Sequence, residues 1–411
     1  MGHPLLAIAS GSGDYGASDT IGMHSVDMAV SEGEGVSRAQ VAGAIGLATP
    51  SAPGRYRESR RTRMRGAPVF AAIDLGTNNC RMLVGTPEAR GFRVLDSYSR
   101  LTRLGEGLHG EGRLGQPAME RTLAALEVCA GRLERTAPRA IRAVATEACR
   151  RASNGGDFLR EVRARTGLPI DIITTREEAE LAVESCAPLL TAASAADGRA
   201  ILFDIGGGST EIAWLRVPRA SAGADRRAPA RPEVIGSVSI PFGVVTLDEA
   251  YGGMLDPAGY SRIVDQVMGA LGDFERTHCI RREIARGPVR MIGTSGTLTT
   301  LATISLGLQH YQRERVDGLV LDAGTTRAAT RTLRGLGMAG LREHRCIGPS
   351  RANYVLPGCA IFEALQVMWP VGRVTVADRG LRDGMLLRMI RDHASRPAAM
   401  GRPHTVVHCR G

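Results

Sequence analysis

Between residues 68 and 393 the chain alternates between two hydrophobic periods. The short apolar or alternating runs VFAAID, CRMLVG and FRVLDSY predict three neighbouring strands. Apolar positions at Met119, Leu123, Leu126, Ala130 and Leu133 then mark one face of a helix, because 3.6 residues per turn gathers them into a single stripe. The strand IRAVAT follows, then a helix near 155–166, the strand IDII after Pro169 and a helix from about 175 to 190. The pattern restarts with ILFD, EIAWLRV and EVIGSVSI as strands. Helices near 257–277, 295–307, 324–334 and 351–368 alternate with the strands VRMIG and RVTVAD, and the helix LRDGMLLRMIRDH closes the fold. The first half reads β-β-β-α-β-α-β-α and the second is an embellished version of it. This divides the chain into halves at 68–190 and 198–393, joined by an Ala, Ser and Asp stretch at 192–198. PRASAGADRRAPARP, at 218–232, reads as a flexible hairpin tip. Residues 1–67 have no sustained apolar period and end in GRYRESRRTRMRG, so they read as a disordered extension; 394–411 reads as a flexible tail. Met64 lies just before the first strand and reads as an alternative start that would leave 1–63 outside the native protein.

One phrase recurs at the head of each half: AAIDLGTNNCRMLV at 71–84 and ILFDIGGGSTEIAW at 201–214, 130 residues apart. In both, an apolar run ends in an aspartate and a glycine, small or amide-bearing residues follow, and an alternating apolar stretch comes next. Each copy therefore reads as strand, tight turn, strand. Such a turn displays backbone N–H groups beside a carboxylate, a set that cradles phosphate oxygens and holds a divalent cation or an attacking water against them. Two copies predict two related half-domains facing a shared cleft.

Composition narrows the chemistry. A chain of 411 residues can bury two sizeable cores, and 43% hydrophobic with 23% charged residues is ordinary for a globular protein. Aromatics are only 4%, so base stacking is a poor mode of binding here and nucleic acid is not the expected partner. All 52 basic residues are arginine. Without lysine the chain can be neither a phosphate-loop NTPase nor a Schiff-base enzyme, and cationic contact with phosphate falls to arginine forks. Of the net charge of +10, residues 1–67 carry +1, 394–411 carry +3 and the predicted folded part carries +6. That surplus suits an anionic substrate and equally fits a solvated surface. Eight cysteines show no C-x-x-C pair and no metal-ligand spacing, which predicts reduced thiols in a reducing cytoplasm. The N-terminus lacks a basic signal region and no stretch approaches a membrane span, so a soluble cytoplasmic protein without a membrane partner is expected.

DIGGGSTE, at Asp204 to Glu211, is the most specific chemical signal. Gly206, Gly207 and Gly208 remove every Cβ from the turn, Ser209 adds a hydroxyl, and Asp204 and Glu211 flank the loop. A plain glycine-rich hairpin between buried strands is the bland alternative. In DLGTNN, Asp74 ends a buried strand, where an unpaired carboxylate is costly, so it should face a cation, a water or a phosphate-bound partner. Thr77 and Asn78 offer donors, and an Asx-type turn is the alternative reading.

The paired loops resemble the acetate kinase, sugar kinase, heat-shock protein and actin superfamily. ATEACRRASN at 145–154, REEAELA at 176–182, GTSGTLTTLA at 293–302 and ADRGLRDGML at 377–386 narrow the resemblance to the exopolyphosphatase and guanosine pentaphosphate phosphohydrolase family. It spans about 68–392. The resemblance implies an α/β fold of two ribonuclease H-like (actin-like ATPase) domains, each a mixed sheet flanked by helices, with a cleft between them. It implies that Glu178 is the catalytic base; without it, Glu178 would read as a first-turn glutamate complementing a helix dipole. It further implies that Arg150 and Arg351 bind substrate phosphate, positions that otherwise read as surface arginines. Asp204 and Glu211 would hold Mg2+ or Mn2+, with Asp74 and Thr77 supporting water or metal. Gly206, Gly207, Gly208 and Ser209 would cradle the scissile phosphate, with Asn78 reaching from the facing loop. GTSGTLTT would approach a nucleotide or a phosphate chain, or serve tight strand-to-helix packing. Asn79 departs from the serine or threonine of many relatives, and no extra helical C-terminal domain follows residue 393, which bears on processivity.

The expected activity is release of terminal phosphate from inorganic polyphosphate or guanosine pentaphosphate by metal-assisted attack of water, with a homodimer as a family-level expectation. A kinase of the same superfamily, passing phosphate from ATP to a small molecule, and a low-turnover sensor of polyphosphate or an alarmone are the alternatives.

Overall fold

Two sheets carry the duplicated phrase. The computed structural model describes residues 67–395 apart from 90, 193–197 and 219–230. The segments expected as an N-terminal extension, most of the hairpin tip, most of the join and nearly all of the C-terminal tail thus lie outside the described residues.

In the first sheet, β1 (Phe70–Leu75) and β2 (Asn79–Glu88) form an antiparallel hairpin and β3 (Gly91–Leu101) returns beside β2. α1 (Leu108–Glu111) and α2 (Gln116–Thr136) lead to β4 (Ala140–Ala145), which is parallel to β1. α3 (Glu147–Arg151) and α4 (Gly155–Thr166) precede β5 (Ile170–Ile172), and α5 (Thr175–Ala192) follows. The strand order is β3-β2-β1-β4-β5.

The second sheet begins with β6 (Gly198–Ile205), β7 (Thr210–Val217) and β8 (Glu233–Ile240), in the same antiparallel meander. After α6 (Val244–Ala250), α7 (Pro257–His278) and α8 (Ile280–Arg286), β9 (Val289–Thr294) pairs parallel with β6. α9 (Gly296–Ser305), α10 (Arg313–Val316), β10 (Val320–Asp322), α11 (Ala323–Glu343) and α12 (Ala352–Met368) come next. β11 (Arg373–Ala377) and α13 (Leu381–Ala394) end the described fold. The order β10-β11-β9-β6-β7-β8 is the first sheet's order with one antiparallel strand added at an edge.

The repetition extends to detail. The β2–β3 register shifts between Val84 and Gly85, and the β7–β8 register shifts between Trp214 and Leu215, the same place in each copy. Local signals account for several element ends. Asp256 caps α7 by accepting from the Gly259 N–H at 2.6 Å, with Pro257 at the first helical position, and Asp322 caps α11 through Thr325 N–H at 2.8 Å. α11 runs past the expected end at 334 because the chain resumes a helix after a break at Gly337, whose φ is 61°. The sequence reading did not include α1, α3, α6, α8, α10 and β10, all of seven residues or fewer, since so short an element shows less than two turns of any period.

The helices between the sheets are exchanged. α5 follows the first sheet in sequence, yet its Ala182, Val183, Cys186 and Leu190 pack on the second sheet's Leu202, Ala213 and Leu215. α13 follows the second sheet, yet its Leu381, Met385 and Leu386 pack on Phe70, Ala72 and Leu83 of the first. Each such fully buried leucine or phenylalanine contributes roughly 1.5–3 kcal/mol. α2 and α4 cover the outer face of the first sheet, and α7, α9, α11 and α12 that of the second. The exchanged helices meet at Gly384, where a Cβ would stand 2.1 Å from the Leu181 carbonyl oxygen. Gly384→Ala should therefore cost about 1–3 kcal/mol of stability, as overpacking does. An unchanged denaturation midpoint would show that this crossing is not tight.

Candidate functional site

The two copies of the phrase close their turns identically. Gly76 N–H donates to Asn79 O at 3.0 Å, and Gly206 N–H to Ser209 O at 2.9 Å. Across the strands Asp74 stands opposite Arg81, and Asp204 opposite Glu211. Both turns lie at the carboxyl ends of central strands, where α/β folds hold ligands. They line one cavity of about 410 Å³. The backbone N–H groups of Thr77, Asn78, Gly207, Gly208 and Ser209 donate to no partner among the described residues, and Asn78 Oδ1 is buried without one. Unpaired amides at a turn form an anion cradle.

The glycines also serve contact between the turns. None of Gly206, Gly207 and Gly208 has a positive φ. A Cβ on Gly208 would lie 2.8 Å from Thr77 Oγ1 and one on Gly207 3.2 Å from Thr77 Cβ, so the facing loop occupies the space that side chains would need. Behind the loop, the Val244 and Val245 N–H groups at the start of α6 donate to Gly206 O and Gly207 O at 3.0 and 2.8 Å. A Cβ on Gly243 would stand 2.3 Å from Gly207 backbone atoms.

Glu178 enters from the first turn of α5, a helix begun by Thr174, whose Oγ1 accepts from Glu177 N–H at 3.1 Å. Its side chain lines the cavity although the residue is only 7% exposed. Arg150, on α3, donates to Glu178 Oε2 at 3.1 Å, to Glu147 Oε2 at 2.7 Å and to Ile173 O at 2.9 Å, which fixes the guanidinium behind the carboxylate. Glu211 accepts from the Ser209 and Ser239 hydroxyls at 2.5 and 2.9 Å.

Of the residues singled out in the sequence, Asp74, Thr77, Asn78, Glu178, Asp204, Gly206, Gly207, Gly208, Ser209, Glu211 and Arg351 all line this cavity. Arg150 stands behind it through Glu178. Arg351, at the start of α12, bonds the Ile347 and Cys346 carbonyl oxygens and faces the cavity from the second half. From GTSGTLTT, Ser295, Gly296, Thr297 and Thr300 form part of the wall, and Thr297 also packs where a Cβ on Gly358 would stand, 2.2 Å away. Ser295 holds φ 154° and ψ 168°, a conformation normally left to glycine, while its Oγ accepts from Thr297 and Leu298 N–H.

The sequence model of the Ppx/GppA phosphatase family matches residues 84–393. The chain belongs to that family. A curated relative, guanosine-5'-triphosphate,3'-diphosphate pyrophosphatase of Aeromonas salmonicida, is 29% identical over 330 residues, 80% of this chain and 60% of the relative. The chain thus spans less than two thirds of that relative's length. The crystal structure of an Aquifex aeolicus Ppx/GppA family member is 25% identical with a TM-score of 0.63, covering 80% of this chain and 99% of that one. An exopolyphosphatase from Cytophaga hutchinsonii, at 20% identity and TM-score 0.67, shares the fold over 79% of this chain and 98% of its own. The architecture is accordingly the expected pair of actin-like halves, each a mixed sheet flanked by helices.

Within this Ppx/GppA frame the cavity is electrostatically strained. Burial raises the Asp204 carboxyl to about 8, with Glu211 and Asp74 adding repulsion and Arg81 opposing them. Burial likewise raises Glu178 well above the usual range, helped by Glu211 and opposed by Arg150. Asp74 and Glu211 move upward for the same first reason, burial. On Arg150, burial works against the cation, but Glu178 and Glu147 outweigh it and raise its proton affinity. Arg382, on α13, donates to Met82 O at 3.2 Å, and its proton affinity is lowered by burial and by Arg81. Sequence reasoning missed Glu147, Arg81 and Arg382. All three sit inside the recurring or family-like motifs, but only the paired register and the fold bring them to the carboxylates.

A carboxyl with a raised folded-state value keeps its proton while the unfolded chain releases it, so stability falls as pH rises between the two values. In divalent-free buffer the stability of the wild type relative to Asp204→Asn should decline from pH 4 to about 8 and then level off. Melting curves of both proteins across that range check this, and a pH-independent difference would contradict it.

Proposed function

We propose that the chain is a phosphohydrolase that releases the terminal phosphate of inorganic polyphosphate or guanosine pentaphosphate by attack of water. The observation that carries this reading is the position of Glu178, a buried carboxylate held by Arg150 at the wall of a cavity formed by two unpaired-amide turns. A kinase needs an acceptor hydroxyl or carboxylate there; a carboxylate base beside a phosphate cradle needs only water.

In this reading Glu178 takes a proton from water as the water oxygen bonds to the terminal phosphorus. The bond to the bridging oxygen breaks, and the shortened chain departs with that oxygen and its electron pair. The amides of Gly207, Gly208 and Ser209, with Asn78 opposite, hold the phosphoryl oxygens where charge develops. Arg150 orients the base, and Arg351 meets substrate phosphate from the second half. The halves at 68–190 and 198–393 thus share one reaction centre.

The residues fit a divalent cation. Among the described residues no three His, Cys, Asp or Glu side chains converge into a cage, while burial and mutual repulsion raise Asp204 and Glu211 in spite of Arg81 and Arg150. Magnesium is held in that way, by one or two carboxylates plus phosphate oxygens and water. Asp204 and Glu211 would hold Mg2+ or Mn2+, near Asp74 and Thr77, and the bound ion supplies neutralisation of phosphate charge.

Purified protein with magnesium should release phosphate from long or short polyphosphate or from guanosine pentaphosphate, and not from ATP dependent on an acceptor. Glu178→Ala should lose about a hundredfold or more of that rate, the loss expected of a general base. Near-normal turnover in this variant would refute the assignment. Because Glu178 must be ionised to act and its affinity for a proton is raised, the acidic limb of kcat/KM should lie above the ordinary carboxylate range.

A further inference from the structure

A second cavity, of about 370 Å³, lies on the second half between α11, α12 and the start of β11. It shares no lining residue with the catalytic cavity. Arg327, Arg331 and Arg334 line it at spacings of four and three residues, one face of α11, and Arg373 joins them from the start of β11. On a helix these three positions span roughly 10 Å. All four side chains are exposed, and none forms an ion pair among the described residues. Arg334 lies over the Tyr260 ring at 4.4 Å, a ring whose hydroxyl donates to Glu363 Oε2 at 2.7 Å. Glu363 is the one carboxylate in the lining; Asp322, beside Arg373 in the β10–β11 register, caps α11 instead. From Thr325 to Arg342 the chain holds four arginines and no acid. Unpaired cations converging on a groove call for an anion.

The groove favours phosphate without bases. Trp369 and Phe362 belong to its floor but are 0% and 1% exposed, and the Trp369 indole N–H is already donated to Glu275 at 2.7 Å. No aromatic face is open for stacking, the contact by which single-stranded nucleic acids are held. Arginine forks on one helix face match a flexible row of phosphates.

We propose that this groove binds interior phosphates of a long inorganic polyphosphate chain and keeps the polymer on the protein while its end is trimmed in the catalytic cavity. This rests on the hydrolase reading above. It concerns retention, so it affects long substrates alone.

The test is the full-length double variant Arg327→Glu/Arg331→Glu. Its KM for polyphosphate of several hundred units should rise about tenfold with kcat unchanged, while KM for tripolyphosphate and guanosine pentaphosphate stays as in the wild type. Arg281→Glu/Arg282→Glu, an equal charge change on exposed α8, should leave all of these constants unchanged. An unchanged long-chain KM in the first variant, or equal losses for both variants or for all substrates, would overturn the proposal. Binding of fluorescent long-chain polyphosphate in Glu178→Gln separates the two readings. If the wild type releases phosphate from neither polyphosphate nor guanosine pentaphosphate, the hydrolase reading fails, and the labelled chain still reports whether the two arginines bind it. Single-stranded RNA that displaces the chain as well as unlabelled polyphosphate does would overturn the choice of ligand.

Discussion

Contact between the two turns is the constraint on which the site depends. Gly208 lies against Thr77 so closely that a side chain there would clash, a side chain on Gly207 would be tightly crowded by the same residue, and Gly243 presses on the loop from behind. The turns approach this closely because the second copy has glycine where the first has Thr77 and Asn78. That approach brings two sets of unpaired amides into one cavity, and it also forces the aspartates at the strand ends into the same small volume. The anion cradle and the carboxylate strain are thus two results of one packing decision.

Helix exchange sets the rest. α5 lies on the second sheet while α13 lies on the first, and they cross at Gly384. The first turn of α5 therefore sits between the halves, which is why Glu178 can reach a cavity whose loops come from both sheets. The start of α13 does the same for Arg382, which bonds β2 beside the first loop. Each half contributes a strand turn of its own and a helix packed on its neighbour, so an opening of the cleft must move Glu178 relative to one of the two turns.

Much of this was legible in the sequence for a specific reason. A duplicated strand–turn–strand has a strong period and an invariant punctuation, so the hairpins of both sheets and the loop residues could be read directly. The long helices were equally plain from their apolar stripes. Glu178 was different: at a helix start its own chemistry is ambiguous, and only the family resemblance pointed to it. Its partner Arg150 lies 28 positions away and Glu147 lies one short helix turn from Arg150. Such pairings depend on where β4 and α5 end in space, which hydrophobic periodicity does not encode. The exchange of α5 and α13 was invisible for a related reason, since an apolar helix face does not say which of two similar sheets it covers.

The two copies finally differ in charge as well as in shape. Opposite its aspartate the first hairpin carries Arg81, which offsets the burial of Asp74, whereas the second carries Glu211, which adds to the burial of Asp204. At the turn end, one hairpin pairs its aspartate with a cation and the other pairs its aspartate with a second carboxylate. Glu211 is further held as an acceptor by two serine hydroxyls, which fixes its orientation without neutralising it. In the proposed reaction a divalent cation would therefore gain most beside the second hairpin, where it would relieve a repulsion, and little beside the first, where an arginine already stands. The shared backbone of the two hairpins thus carries, through one pair of residues, Arg81 and Glu211, an asymmetry of charge across the cleft.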